Sequence, residues 1–264
     1  MTVLLVGAGR MGSALLKGWR NKGVKNILVV EPKPSAEIIK LAKAKAIMLY
    51  AAPSLVKAKK IDACVLALKP QVLKGEAASL ASIAGSGALM LSIAAGTSIA
   101  AMQKAWGKTA RIVRAMPNTP GAIGAGITGL YAAKGVTTAD RSKAVTLLSA
   151  LGETLWLPRE EMIDSVTALS GSGPAYVFHL VEAMTAAGIA TGLKAAAAAK
   201  LARATVSGAG ALLAADKASA AQLREAVTSP GGTTAAALAV LMPELTGLMT
   251  RAILAAKKRA EEMR

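Results

Sequence analysis

The chain has 264 residues, enough for one large domain or two modest ones with a substantial core. Hydrophobic residues make up 53% of it, yet one histidine and one cysteine are too few for a Cys/His zinc site or an internal disulfide, so no metal is expected. The net charge of +17 is uneven: residues 1–158 carry 21 Lys and Arg against 6 Asp and Glu, a surface that attracts anions. With 3% aromatics, scattered lysines and no nucleic-acid module, no nucleic-acid partner is expected.

From the N-terminus, TVLLV reads as a strand, Met11–Asn21 as a helix and NILVVE as a second strand. Ser35–Ala46 reads as a helix and AIMLY as a candidate third strand. DACVLAL is a further strand that ends at Lys69-Pro70. No charged residue occurs from Ala77 to Gln103, a stretch longer than the ~20 residues of a membrane helix. Gly85-Ser86-Gly87 nonetheless splits it into a helix and a buried strand, LMLSI, and no membrane span is expected. RIVRAM and TGLYA add strands. This alternation implies a parallel sheet covered on both faces, and the uniformly apolar VLLV and CVLAL suit its centre. Cys64 lies in such a run and reads as a small core residue of a cytoplasmic protein. Val3–Val6 is followed at once by glycines, not by a cleavage-like segment, so no signal peptide is expected.

Past Leu155-Trp156-Leu157-Pro158 the chain becomes helical and alanine-rich. Helices are expected over Ala175–Ala190, Lys194–Ala214, Ala220–Ala226, Thr233–Met242 and Leu245–Met263, punctuated by glycines and by Pro174, Pro230 and Pro243. So few bulky residues give little core, and burial by a partner subunit would make this half a dimerisation domain.

Gly7-Ala8-Gly9-Arg10-Met11-Gly12 follows the first strand and opens a helix, the context in which GxGxxG binds a dinucleotide. Gly7 permits the tight turn, Gly9 clears room for a pyrophosphate, and Gly12 lets helix and strand approach. The fold class is therefore α/β: a Rossmann-like doubly wound sheet over residues 1–158, then an all-α domain over 159–264. Glu31, 19 residues beyond Gly12, is placed to meet the adenosine ribose. Its carboxylate favours NADH, while Arg10 and Lys33 nearby offset the repulsion of a 2′-phosphate, so NADPH stays open. Ala67-Leu68-Lys69-Pro70, at a strand end, should flank the cofactor.

At the other end, Ser229-Pro230-Gly231-Gly232 turns into a helix opened by Thr233 and Thr234. Helix starts leave N–H groups unpaired and hold anions such as a small acid's carboxylate; the two threonines add hydroxyls there.

Two further segments complete a pattern: Met116-Pro117-Asn118-Thr119-Pro120 and Ser170-Gly171-Ser172-Gly173-Pro174-Ala175-Tyr176. With GAGRMG, ALKP and VTSPGGTT in this order, nearly the whole chain resembles the pyrroline-5-carboxylate reductase family. The resemblance implies hydride transfer from NADPH or NADH to the C=N carbon of 1-pyrroline-5-carboxylate, giving L-proline. It further implies that Ser229, Gly231, Gly232, Thr233 and Thr234 bind the small-molecule substrate, with Thr234 on the ring nitrogen as the catalytic contact. Asn118 would lie near the nicotinamide, and the C-terminal helices would form a homodimer or a larger ring of dimers. An iminium carbon is already electrophilic, so a site without histidine suits this chemistry; His179 reads as a structural helix residue. Two features depart from the family pattern: Asp216-Lys217 where an acidic residue often precedes the loop, and a short MPELTG link. Another imine or β-hydroxyacid reductase, or a non-enzymatic dinucleotide-binding protein, are the alternatives.

Overall fold

A computed structural model describes residues 1–58 and 60–263. The chain divides into two compact units, Met1–Gly171 together with Lys257–Arg264, and Ser172–Ala256.

In the first unit β1 (Thr2–Val6) is the hinge of the sheet. It pairs in parallel with β2 (Asn26–Val30) and β4 (Ala63–Leu66), so that Leu4 lies between Leu28 and Cys64. All of these side chains are buried, as central parallel strands require. Burial pushes the Cys64 thiol far up its scale, so it sits in the core as an inert apolar residue. Helix α1 (Arg10–Asn21) covers one face with Leu15, Leu16 and Trp19, whose indole N–H donates to the Leu147 carbonyl at 2.7 Å. Helix α2 (Ala36–Lys43), capped by the Ser35 hydroxyl, leads to the short edge strand β3 (Met48–Tyr50). Helices α3 (Pro70–Glu76) and α4 (Ala81–Gly85) precede β5 (Leu89–Ser92), and α5 (Ile99–Trp106) precedes β6 (Ile112–Met116). The uncharged stretch from Ala77 thus breaks at Gly87, with φ +84°, into helix and buried strand.

The full strand order is β3-β2-β1-β4-β5-β6-β7-β8. It is doubly wound, but not wholly parallel as expected: β7 (Gly126–Ala132) runs antiparallel to β6. The chain between Met116 and Gly126 holds only a short 3₁₀ turn, less than the dozen or so residues that a parallel crossover needs. Helix α6 (Thr138–Leu148) then returns the chain to β8 (Gly152–Trp156), parallel to β7. The sequence alone does not suggest β8. Its Glu153 and Leu155 face solvent, and Arg141 lies 4.5 Å above the Trp156 ring, so no continuous apolar run marks it. Helix α7 (Met162–Val166) and a single π-turn (Thr167–Gly171) end this part of the unit.

The second unit holds α8 (Gly173–Ala190), α9 (Ala195–Ala215), α10 (Ala220–Ala226) and most of α11 (Thr233–Glu262). Gly188 brings α8 against α9, since a Cβ there would stand 3.1 Å from that of Ala198. In α8 and α9 only Ala198 and Ala202 are buried, while Phe178 is 64% exposed. Helix α11 corrects one expectation. The segments Thr233–Met242 and Leu245–Met263 form one helix of 30 residues with Pro243 inside it. Pro243 removes one N–H from the ladder, but the Ala, Leu and Met on both sides are strong helix formers and carry the helix through. By length and composition α11 is apolar enough to cross a membrane, and its most apolar window is unburied within the chain.

Asp140 anchors the start of α6. It closes a capping box with Thr137, and its carboxylate accepts from Arg111 at 3.0 Å. Burial would push this carboxyl up; hydrogen bonds from the Thr137 hydroxyl and N–H, with Arg111 and Lys143, outweigh that and leave it below its ordinary value. A lowered carboxyl pKa stabilises the fold above the unfolded-state value of ~3.9 and stops doing so as pH falls through the folded value. Asp140→Asn should therefore cost ~1–3 kcal/mol at neutral pH. In chemical denaturation the gap from wild type should narrow below about pH 4.

Candidate functional site

Above the carboxyl ends of β1, β4, β5 and β6 in the first unit is a cleft of about 310 Å³. Gly9, Arg10, Met11, Ala67, Leu68, Lys69, Ile93, Met116 and Pro117 line it. Ligands of doubly wound sheets gather at this edge, where the strand order reverses. The three motif glycines sit in different surroundings. Gly7 has φ +91°, and a Cβ on it would come 2.7 Å from the Ala67 carbonyl oxygen. A Cβ on Gly12 would strike the Gly7 carbonyl oxygen and press on Ala67. Gly9 has an ordinary φ of −68°, and a Cβ there would meet nothing within 4 Å. Neither backbone strain nor packing asks for glycine at position 9, and its place at the head of α1 on the cleft leaves the space beside it open. Gly9 also caps α1 with no side-chain hydrogen bond, so the first-turn N–H groups of this helix are free for an anion. A pyrophosphate fits this cradle.

Glu31 sits just past β2. Its Oε2 accepts from the Ala8 N–H at 2.8 Å and its Oε1 from the Lys33 N–H at 3.1 Å. The carboxylate is thereby fixed beside the glycine turn, each oxygen keeping a lone pair for another donor. Ala67, Leu68 and Lys69 line the cleft, while Pro70 opens α3 just past it and is not part of the lining. Asn118 is used differently from its neighbours. Its side-chain oxygen accepts from the Ile127 N–H at 3.0 Å, tying the loop to β7, while Met116 and Pro117 supply the cleft wall. Met116 and Pro117 belong to the MPNTP segment that the sequence singled out, whereas Ile93 carries no chemical group that marks it, and only its place past a strand end could have pointed to it.

In the second unit the predicted substrate loop joins α10 to α11. The Thr228 hydroxyl donates to the Arg224 carbonyl at 2.6 Å and ends α10. Ser229 O accepts from the Gly232 N–H at 3.0 Å, closing a tight turn in which Gly231 has φ +69°. Helix α11 begins at Thr233, so the N–H groups of Thr233, Thr234 and Ala235 have no helical acceptor. Thr233 is exposed and Thr234 half-buried. The loop therefore presents amides and hydroxyls at a helix start, the chemistry of a carboxylate cradle. His179 lies on α8, exposed, with Nδ1 2.9 Å from Glu182 Oε2.

Residues 160–263 match the family model for pyrroline-5-carboxylate reductase dimerisation, and residues 2–96 that for NADP oxidoreductase, coenzyme F420-dependent. The pyrroline-5-carboxylate reductase of Pseudomonas aeruginosa is 39% identical over 99% of this chain and 96% of its own. The chain belongs to the pyrroline-5-carboxylate reductase family. The solved structure of a family member from Coxiella burnetii superposes with a TM-score of 0.92 at 35% identity, covering 99% of this chain and 98% of that one. The Plasmodium falciparum enzyme, solved with NADP bound, gives 0.82 at 26% identity, over 100% of this chain and 98% of that one. The C-terminal helices are thus a dimerisation domain, which accounts for the apolar side chains that α8 and α11 leave exposed.

A side chain at Gly9 tests the cradle directly. Gly9→Ala should leave thermal stability unchanged, because both backbone and space accept it. Titration should show nicotinamide-dinucleotide affinity weakened ~10-fold or more, a loss of about 1.4 kcal/mol.

Proposed function

We propose that this chain reduces 1-pyrroline-5-carboxylate to L-proline with NADH or NADPH. The full-length family match supports the substrate, and the open space at Gly9 beside the cleft supports the cofactor half of the reading. In functional terms residues 1–158 serve the dinucleotide and residues 159–264 serve dimerisation and substrate. A reduced nicotinamide bound in the cleft supplies the hydride that the C=N carbon accepts. Gly7, Ala8, Gly9, Arg10, Met11 and Gly12 hold the pyrophosphate; Ala67, Leu68 and Lys69 form the floor, with Pro70 just past it; Asn118 fixes the neighbouring wall. Glu31 receives a ribose hydroxyl.

At the substrate loop, Ser229, Gly231, Gly232 and Thr233 present the turn and helix-start amides to the carboxylate. Thr234 turns its hydroxyl to the ring nitrogen. The iminium nitrogen already carries its proton, and after hydride addition it remains as the secondary amine, so no protein acid is consumed. Orientation is the main demand, and fixed amides and one hydroxyl meet it.

We assign the assembly to a homodimer through the C-terminal helices, or a larger ring of such dimers, in the cytoplasm. Glu244 and Arg251 lie within α11 and would be costly at the centre of a bilayer, which favours a protein partner over lipid for that helix.

Purified protein should oxidise NADH or NADPH when 1-pyrroline-5-carboxylate is added and not with hydroxyacids; silence with both cofactors would refute the activity. Thr234→Ala should lower kcat/KM ~10–100-fold through one hydrogen bond to a charged group, and wild-type kinetics would remove Thr234 from this role. Glu31→Ser should raise the kcat/KM ratio of NADPH over NADH. An unchanged ratio would mean that Glu31 reads neither ribose.

A further inference from the structure

Arg114 is a buried cation, 1% exposed, in the otherwise apolar strand β6. Taking a guanidinium out of water costs several kcal/mol in effect, so its partners need a reason to be there. Nη1 donates to Glu160 Oε1 at 3.0 Å, and Nη2 lies 3.7 Å from Asp164 Oδ1. The same Glu160 oxygen accepts the Ile99 N–H at 2.8 Å, at the first residue of α5. One carboxylate oxygen thus joins a strand cation to a helix start, where a negative charge is also favoured by the helix dipole.

Both anchored segments lead straight to the cleft. The stretch pinned at Ile99 begins at Ile93, just past β5, and Ile93 is a cleft wall. Met116 follows Arg114 by two residues, on the same side of the strand, and with Pro117 forms another wall. These walls stand over β5 and β6. Glu31 stands past β2, on the far side of the glycine turn. A dinucleotide with its pyrophosphate at α1 and its adenosine near Glu31 would put the nicotinamide over the β5–β6 walls.

We propose that Arg114 and Glu160 are positioning residues for the nicotinamide half of the cofactor. They touch no ligand; they hold two walls of the cleft at one spacing. Ile93 is also held by its N–H on the Leu66 carbonyl at 3.1 Å and Met116 by its pairing with Gly129, so the shared carboxylate adjusts the spacing of the two walls, and loosening it leaves the glycine turn and Glu31 in place. The inference rests on the cofactor reading above.

The test uses the full-length protein and compares whichever of NADH and NADPH it binds more tightly with the matching ADP-ribose or 2′-phospho-ADP-ribose. These lack the nicotinamide. Glu160→Gln keeps an acceptor for the Ile99 N–H but removes the charge facing Arg114; Arg114→Met removes the cation. Each variant should weaken the dinucleotide about 10-fold by titration and leave the ADP-ribose fragment within about twofold. KM for the cofactor should rise more than kcat falls. Equal weakening of both ligands, or of neither, in Glu160→Gln would overturn the proposal even if Arg114→Met does not fold. A wild-type protein that binds neither ligand would instead overturn the cofactor reading itself.

Discussion

At Gly7 and Gly12 the turn after β1 runs so close to its surroundings that a Cβ at either place would collide with a main-chain oxygen. Much of the first unit's site is arranged around that contact. Gly7 N–H is held by the Val30 carbonyl at 2.9 Å, and Ala67 N–H by the Val6 carbonyl at 2.8 Å. The ends of β1, β2 and β4 are thus bonded to one another directly beneath the turn. The packing sets where α1 starts, and the α1 start sets where the free helix-start amides lie. It also places the Ala8 N–H within reach of the Glu31 carboxylate, which fixes that carboxylate beside the turn. A larger residue at position 12 would disturb several of these placements at once.

What the sequence made legible follows from how local each signal is. The first strands are short apolar runs, the glycine motif is contiguous, and the Ser229–Thr234 turn announces itself through proline and paired glycines. Local chemistry dictates these, and the structure has strands and turns at those places. β8 was not legible because an edge strand exposed at Glu153 and Leu155 has no apolar run to read. The reversal of β7 depended on counting residues in the link, since its composition resembles that of its parallel neighbours. The unbroken α11 shows propensity on both flanks prevailing over one proline. The Arg114–Glu160 pair, 46 residues apart in sequence, could not be seen at all: either residue alone reads as an ordinary surface charge.

The second unit poses the opposite energetic problem from the first. Its helices are built from alanine, which is favourable for helix formation and poor for burial. Gly188 lets α8 and α9 come close, so small side chains still make contact, but the larger ones are left facing outward. Phe178 and Val240, 64% and 68% exposed, are the clearest cases. A chain that spent these side chains on its own core would have nothing left for a subunit interface. The thin core and the dimerisation domain are one design seen from two sides.

Glycine serves both ligand-binding candidates, yet the reasons differ and only geometry separates them. Gly231 has a positive φ, so the turn itself asks for glycine whether or not a carboxylate ever binds there. Gly7 and Gly12 are asked for by neighbouring atoms. Gly9 has an ordinary backbone and open space where its side chain would be, as Gly75, Gly85, Gly173, Gly208 and Gly210 also have; its place at the start of α1 on the cleft is what singles it out. An open glycine at a helix start on the cleft leaves room that a ligand could use, which the positive φ of Gly231 does not by itself provide. In the Gly231 loop the conformation explains the glycine already, and what the loop offers a ligand is the free amides at the start of α11 and the hydroxyl of Thr234.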